Sequence, residues 1–305
     1  MKILITGGAG FIGSHIADEY VRLGHKVVVV DNLSTGKLKN VNPRAKFYKA
    51  DIQNARAIGN IIKREKPNVI NHHAAEISVI KSLEKPGATV ATNVSGTLVL
   101  LSTFVRFSPR ATKFIFASTG GALYGNPKHI PADEHTPILP LSTYGLSKYM
   151  AEELIHFYGR TYHLPYTVLR YSNVYGPRQN PKGEAGVVAI FGSLMKRKKR
   201  PTIFGDGTKM RDYVHVEDVV RANALALHKG KNETANIGCG KLTSDQAVFD
   251  TIAKYTGYRG SPIYAPYREG EIYKIALDAS RAKKVLGWIS RISFDEGIRK
   301  TVLTI

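Results

Sequence analysis

Apolar and polar positions follow two periods along the first half of the chain. Lys2–Thr6 (KILIT) is a short apolar stretch; glycines follow it, and the segment from Phe11 to Leu23 carries its apolar residues at helical spacing. Lys26–Val30 (KVVVV) is, after its lysine, an unbroken apolar, β-branched run, the pattern of a parallel strand covered on both faces. Further strands are predicted at Lys46–Lys49, Asn68–Asn71, Lys113–Ala117 and Thr167–Tyr171, with helices near 54–66, 86–107 and 143–162. Strand and helix alternating at this spacing predict an α/β fold with a doubly wound parallel sheet.

Beyond Tyr171 the pattern changes. Gly and Pro become frequent (GPRQNP) and the alternation turns irregular. The expected organisation is a main domain over 1–172, rejoined by about 210–240, and a smaller lobe over 173–209 and 241–305. The one run of charge, Lys196–Arg200 (KRKKR), is short enough to be a solvated helix end.

Composition narrows the choice. A hydrophobic content of 43% with 22% charged residues is that of a globular chain and excludes a mainly disordered one. The single cysteine, Cys239, excludes an intramolecular disulfide framework and a cysteine-rich zinc site. The start has too few apolar residues before its glycines for a signal peptide, and the tightest apolar run, Val27–Val30, is only strand-sized. A cytoplasmic protein is expected, and the scarcity of Gln, Met and Cys hints at a thermophile. Against 24 Asp and Glu stand 44 Lys and Arg, a formal net charge of +20. That excess fits a nucleic-acid binder, a membrane-surface protein or an enzyme for anionic small molecules.

Chemistry decides among these. Directly after the first predicted strand comes Thr6-Gly-Gly-Ala-Gly-Phe-Ile-Gly13, which holds Gly7-x-x-Gly10-x-x-Gly13. Glycines there permit a tight strand-to-helix turn and close approach of backbone to a pyrophosphate, which the helix N-terminus then meets with free N–H groups. The second strand ends in Asp31, 18 residues beyond Gly13, near the spacing of a ribose-binding carboxylate. Together they read as a Rossmann-type dinucleotide site. Asp31 would repel a 2′-phosphate and Asn32 follows it, so NAD is favoured over NADP, with Lys37 the only nearby cation in reserve. Asp51 and Ile52, after the third strand, are placed to flank adenine.

Tyr144-Gly-Leu-Ser-Lys148 opens a helical pattern, and the i, i+4 spacing puts phenol and ammonium on one face. A cation beside a Tyr stabilises its phenolate and turns a poor base into a usable one. Ser118 and Thr119 follow a strand, at the carboxyl edge where open α/β sheets bind ligands.

These motifs, in order along nearly the whole chain, carry a resemblance. TGGAGFIGS, DNLSTG, the HHAA at His72–Ala75, Asn93-Val-Ser-Gly-Thr, YGLSK, RYSNVYGPRQ, FGDGTKMRDYVHVEDV and the late LGW resemble extended short-chain dehydrogenase/reductases, most closely the UDP-glucose 4-epimerase group. The resemblance implies cofactor contacts from Gly7, Gly10, Phe11, Ile12, Gly13, Asp31, Asn32, Ser34, Thr35, Gly36, Asp51, Ile52, His73, Ala74, Ala75, Asn93, Tyr144, Lys148 and Tyr171. It implies Tyr144 as general base and acid at the sugar 4-hydroxyl, Lys148 as its tuner, and Thr119, with Ser118, as hydrogen-bond partners of the same hydroxyl. Substrate contacts would come from Thr119, Tyr144, Asn173, Val187, Thr202, Arg211, Arg268 and Glu271, the arginines clamping a diphosphate. In one place the chain departs from the family. The catalytic Ser/Thr usually stands four residues before the Tyr of the VYG motif, where this chain has Gly120; Thr119 is the preferred substitute.

The implied reaction is transient oxidation at carbon 4 of a UDP-sugar with bound NAD, epimerising UDP-glucose and UDP-galactose. A UDP-N-acetylhexosamine is an alternative substrate. A 4,6-dehydratase or decarboxylase shares the first step, but the family's extra carboxylate after the Thr is replaced here by Gly120-Gly121-Ala122. The resemblance also implies a homodimer through a helix bundle built from 86–107 and 143–162, and implies neither a metal, nor nucleic acid, nor a membrane as partner.

Overall fold

The computed structural model describes residues 1–108, 111–181, 186–268 and 271–304. Its centre is a seven-stranded sheet. The first half runs β1 (Lys2–Thr6), α1 (Phe11–Arg22), β2 (Lys26–Asp31), β3 (Lys46–Lys49), α2 (Ala55–Glu65), β4 (Val69–His72), α3 (Val79–Glu84), α4 (Pro86–Val90), a π-turn at Ala91–Ser95, and α5 (Gly96–Phe107). Then follow β5 (Lys113–Thr119), α6 (Gly120–Leu123), α7 (Thr143–Tyr162), β6 (Tyr166–Tyr171), β7 (Asn173–Tyr175) and α8 (Val187–Lys196). The remainder is β8 (Thr202–Phe204), β9 (Met210–Arg211), β10 (Tyr213–His215), α9 (Val216–Ala226), β11 (Glu233–Ile237), β12 (Thr243–Ser244), α10 (Asp245–Thr256), β13 (Ile263–Ala265), β14 (Lys274–Ile275), α11 (Ser280–Leu286) and α12 (Phe294–Val302).

The strand order β11-β6-β5-β4-β1-β2-β3, with every neighbour parallel, is doubly wound, as the alternation predicted. Side chains alternate across it. Ile3, Ile5, Val27, Val29, Val69, Ile115 and Leu169 pack on one face with α1, α9 and Trp288. Leu4, Val28, Val30, Ile70, Phe114, Phe116 and Val168 pack on the other with α2, α5 and α7. Both faces are covered, which is why the strands read as continuous apolar runs rather than alternating ones. Connections leave β1 and β4 in opposite directions, so a crevice opens at the carboxyl ends of these neighbours, beside Thr6 and its register partner His72.

A separate cluster, formed by Tyr175, Val188, Phe191, Met195, Ile203, Tyr213, Val248, Phe249, Ile252, Ile298 and Val302, holds the irregular segments together. β11 returns to the main sheet beside β6. The chain also returns once more. Ala282, Leu286 and Trp288 lie in the main core, and the indole of Trp288 donates to the Asp218 carbonyl at 2.9 Å. Residues 280–288, grouped with the smaller lobe by their pattern, therefore pack against the sheet.

The span Pro86–Phe107 is long and apolar enough to cross a membrane, although its apolar residues do not form one unbroken run. Here it is a core helix interrupted by the π-turn, with Leu100, Leu101 and Phe104 fully buried against the sheet.

Candidate active site

The glycine turn forms as its spacing requires. Gly7 has φ +68°, and a Cβ there would stand 2.7 Å from the Ala74 amide nitrogen. A Cβ on Gly13 would strike the Gly7 carbonyl, to which the Gly10 amide donates at 3.0 Å. The amides of Phe11, Ile12 and Gly13 open α1, where no preceding turn can accept from them. Asp31 closes β2 and is buried; its carboxylate accepts from the Ala9 amide (3.0 Å) and the Leu33 amide (2.8 Å). Gly36 lies over it, for a Cβ there would sit 2.9 Å from Asp31 Oδ1. Asn32 donates to Asp51 at 2.9 Å, joining the ends of β2 and β3, while Ser34 and Thr35 are exposed beside them.

On the other side of the crevice His73 stacks on Tyr171, ring centroids 6.1 Å apart, and its Nε2 is buried with no partner. Burial, then the Lys148 charge, holds that imidazole down at about 3, so it stays neutral. A glycine turn with no room for a Cβ, unpaired helix amides, a carboxylate at the end of β2 and an orphaned imidazole nitrogen together fit a dinucleotide such as NAD. Three expected contacts face elsewhere. Ile52 is packed in the core, the Tyr171 hydroxyl accepts from Asn223 (2.8 Å), and the Asn93 amide group is engaged by Glu76 and Ser147.

β5 continues two residues past its predicted end, so Ser118 and Thr119 are strand residues and point to opposite faces. Ser118 Oγ donates to the fully buried carboxylate of Glu152. Thr119 faces the cleft: a Cβ on Gly121 would lie 3.9 Å from Thr119 Oγ1 and 3.2 Å from Asn173 Oδ1, so these side chains share one wall. Gly120 has no room for a side chain, because a Cβ there would run into Leu277.

Helix α7 starts at Thr143 on a Ser142 cap, placing Tyr144 in its first turn and Lys148 one turn on. Burial pushes the Tyr144 phenol up to about 12, with the Thr119 hydroxyl acting in the opposite sense. Burial also draws the Lys148 ammonium down to about 7, against the pull of Glu152. Lys148 Nζ donates to the Ala117 carbonyl at 2.7 Å and lies 4.6 Å from the Phe116 ring centroid.

The remaining expected residues belong to the irregular segments. Val187 opens α8 and Thr202 opens β8, paired with Ile263. The Arg211 guanidinium donates to the Met210, Ile272 and Tyr273 carbonyls, stitching β9 to the chain before β14. The Arg268 guanidinium carbon lies over the Phe204 ring, 3.4 Å from its centroid. Glu271 is paired with the buried ammonium of Lys209, a residue that sequence reasoning missed along with Glu152 and Arg170. Two of these left a signal: Glu152 continues the Tyr144–Lys148 helix face, and Arg170 is a lone charge in an apolar strand.

The lowered Lys148 pKa has a stability consequence. The charged form is disfavoured in the fold, so a cost is present in full below about pH 7 and disappears as pH rises toward the ordinary 10.5. Lys148→Met is therefore expected to abolish turnover while raising Tm at pH 7, by an amount that shrinks toward pH 10.5 in a thermal-melt series. A lower Tm than wild type across that whole range would contradict this.

Comparison with known proteins agrees with the geometry. The family model described as GDP-mannose 4,6 dehydratase matches residues 4–301. A UDP-glucose 4-epimerase of Mycolicibacterium smegmatis is 40% identical over 99% of this chain and 97% of its own length. The crystal structure of UDP-glucose 4-epimerase from Thermotoga maritima with UDP-glucose superposes with a TM-score of 0.98 at 48% identity, covering 100% of this chain and 98% of that one. The Thermus thermophilus UDP-glucose 4-epimerase in complex with NAD gives 0.95 at 38% identity, covering 100% and 98%. The chain belongs to this family of nucleotide-sugar epimerases and dehydratases, within the extended short-chain dehydrogenase/reductases.

Proposed function

We propose that the chain interconverts UDP-glucose and UDP-galactose with NAD bound in the main domain (1–172 and about 210–240) and the sugar nucleotide held by the smaller lobe (173–209 and 241–305, apart from residues 280–288 that pack on the main sheet). The observation that carries this reading is Tyr144 in the first turn of α7, one turn before the buried Lys148, at the carboxyl edge of a sheet whose first turn fits a dinucleotide.

NAD, when bound, supplies a hydride acceptor and donor for carbon 4 of the sugar. The chain's own residues handle the proton. Tyr144 takes it from the 4-hydroxyl and later gives it back, and Thr119 hydrogen-bonds the same hydroxyl and orients it. Since the phenol is driven neutral by burial, it needs a cation to act as a base. Lys148, buried on the same helix face, supplies that charge. Asn173, on the wall it shares with Thr119, and Arg268 serve the phosphates of the nucleotide, while Arg211 and Glu271 hold the segments around them in place. The hydride leaves and returns at carbon 4 and the proton leaves and returns at its hydroxyl oxygen, so the reaction is redox-neutral.

Elimination of the dehydratase kind needs a further acid/base group beside Thr119. Gly120-Gly121-Ala122 supplies none, and Leu277 fills the space a side chain at 120 would need, which supports epimerisation. Tyr144→Phe removes the proton acceptor. With UDP-galactose and no added NAD, wild type is expected to form UDP-glucose, and this variant to be slower by about 10²–10⁴-fold. Absence of turnover on every UDP-hexose would sink the reading.

A homodimer through α5 and α7 completes the proposal. Leu98, Leu146, Met150 and Phe157 are large apolar side chains left 39–45% exposed on these adjacent helices, a stripe suited to a helix bundle. Met150→Glu is expected to halve the mass seen by light scattering; a monomeric wild type would contradict the dimer.

A further inference from the structure

The catalytic helix and the phosphate turn lie on different elements, and one hydrogen-bonded line joins them. It begins at Thr6, the last residue of β1, whose hydroxyl lies 2.7 Å from His72 Nδ1. His72, the last residue of β4, is 1% exposed, and its Nε2 lies 2.9 Å from Thr97 Oγ1 in α5. Thr97 in turn donates to the Asn93 carbonyl at 2.6 Å. Asn93 sits in the π-turn, and its amide nitrogen donates to Ser147 Oγ (2.9 Å), which donates to the Tyr144 carbonyl (2.8 Å).

Counting protons fixes the direction of every bond. Thr97 has one hydroxyl proton and gives it to Asn93, so it can only accept from His72. His72 therefore carries its proton on Nε2, and the bare Nδ1 accepts from the Thr6 hydroxyl. Thr6 Oγ1 is left to accept, and it does so from the His73 and Ala74 amides, both at 3.2 Å. Those amides begin the loop against which the Gly7 turn is pressed. The line is thus satisfied at every atom, and burial keeps the imidazole neutral, which the two bonds require.

We infer that His72 is a positioning residue for the reaction. Its neutral imidazole, clamped between Thr6 and Thr97, sets the distance between the phosphate turn and the π-turn whose Asn93 holds the head of α7. Asn93 then acts through Ser147 and Glu76 rather than by touching a ligand. A regular α-helical course through 91–95 would rotate Asn93 out of this line, which gives the π-turn a purpose. The inference rests on the epimerase reading for its kinetic part only.

Thr97→Val deletes the hydroxyl at nearly constant volume, and Thr97→Ser keeps it. The valine variant is expected to lose about tenfold in kcat toward UDP-galactose with KM unchanged, the effect of one buried hydrogen bond on positioning. NAD affinity of the cofactor-free protein, measured by calorimetry, should fall by a similar factor, and Thr97→Ser should restore both. Long-range proton–nitrogen NMR of the wild-type imidazole should show the proton on Nε2. Wild-type kcat and NAD affinity in Thr97→Val, a serine variant as impaired as the valine one, or a proton on Nδ1 would each overturn the inference. A wild-type protein inactive on all UDP-hexoses, with the NAD affinities still ordered as expected, would instead overturn the epimerase reading alone.

Discussion

The buried ion pair between Glu152 and Arg170 is the interaction on which the site depends. Glu152 is fully buried and Arg170 nearly so, with a closest approach of 2.6 Å and a second guanidinium nitrogen also donating to the same carboxylate. Taking two charges out of water costs several kcal/mol each, so such a pair adds little net stability, and removing one partner costs about 3–5 kcal/mol. What the pair provides here is placement. Glu152 also accepts from Ser118, and Arg170 donates to Tyr124, which donates to Asn236. One carboxylate thereby fixes helix α7 against β5 and β6, one residue before Thr119. The strand end that carries Thr119 is thus tied to the helix that carries Tyr144 through the neighbouring Ser118 and Glu152.

Helix α7 accordingly carries three polar residues at four-residue spacing, Tyr144, Lys148 and Glu152, on a face turned into the protein. Each responds differently to being there. The phenol is driven neutral, the ammonium is pulled toward neutrality, and only Glu152 has a full counter-charge. A base that works by proton transfer and a cation that works by proximity are both destabilised in the empty fold, which is the usual relation between a reactive site and the scaffold that holds it. The line through His72 does for the cofactor side what Glu152 does for the catalytic side: neutral where Glu152 is charged, it joins the same helix to the glycine turn.

Much of this was legible in the chain because the relevant signals are local. The strands of the main sheet are apolar runs, the turn is a glycine spacing, and Tyr144 and Lys148 are four residues apart. Ser118 and Thr119 could not be separated by composition; they are separated by the pleat, since β5 runs on to Thr119 and sends neighbours to opposite faces. Arg211 reads as a phosphate clamp in sequence, yet in the fold it ties three backbone carbonyls together, a contact between segments more than sixty residues apart. Trp288 and α11 were misplaced for the same reason, because whether an amphipathic segment covers the sheet or the smaller lobe depends on which face is still open. Long-range pairing decided what local pattern left undetermined. The net charge of +20 did not identify a partner: Arg211 and Arg268 account for little of it, and most of the excess lies on the surface.

The central claim is that the hydride taken from carbon 4 returns to carbon 4. UDP-galactose carrying deuterium at carbon 4 tests it directly, incubated with the protein in ordinary water and without added NAD. The predicted product is UDP-glucose with the deuterium still at carbon 4. Deuterium lost to solvent, or found at carbon 6 of a 4-keto-6-deoxy product, would contradict it.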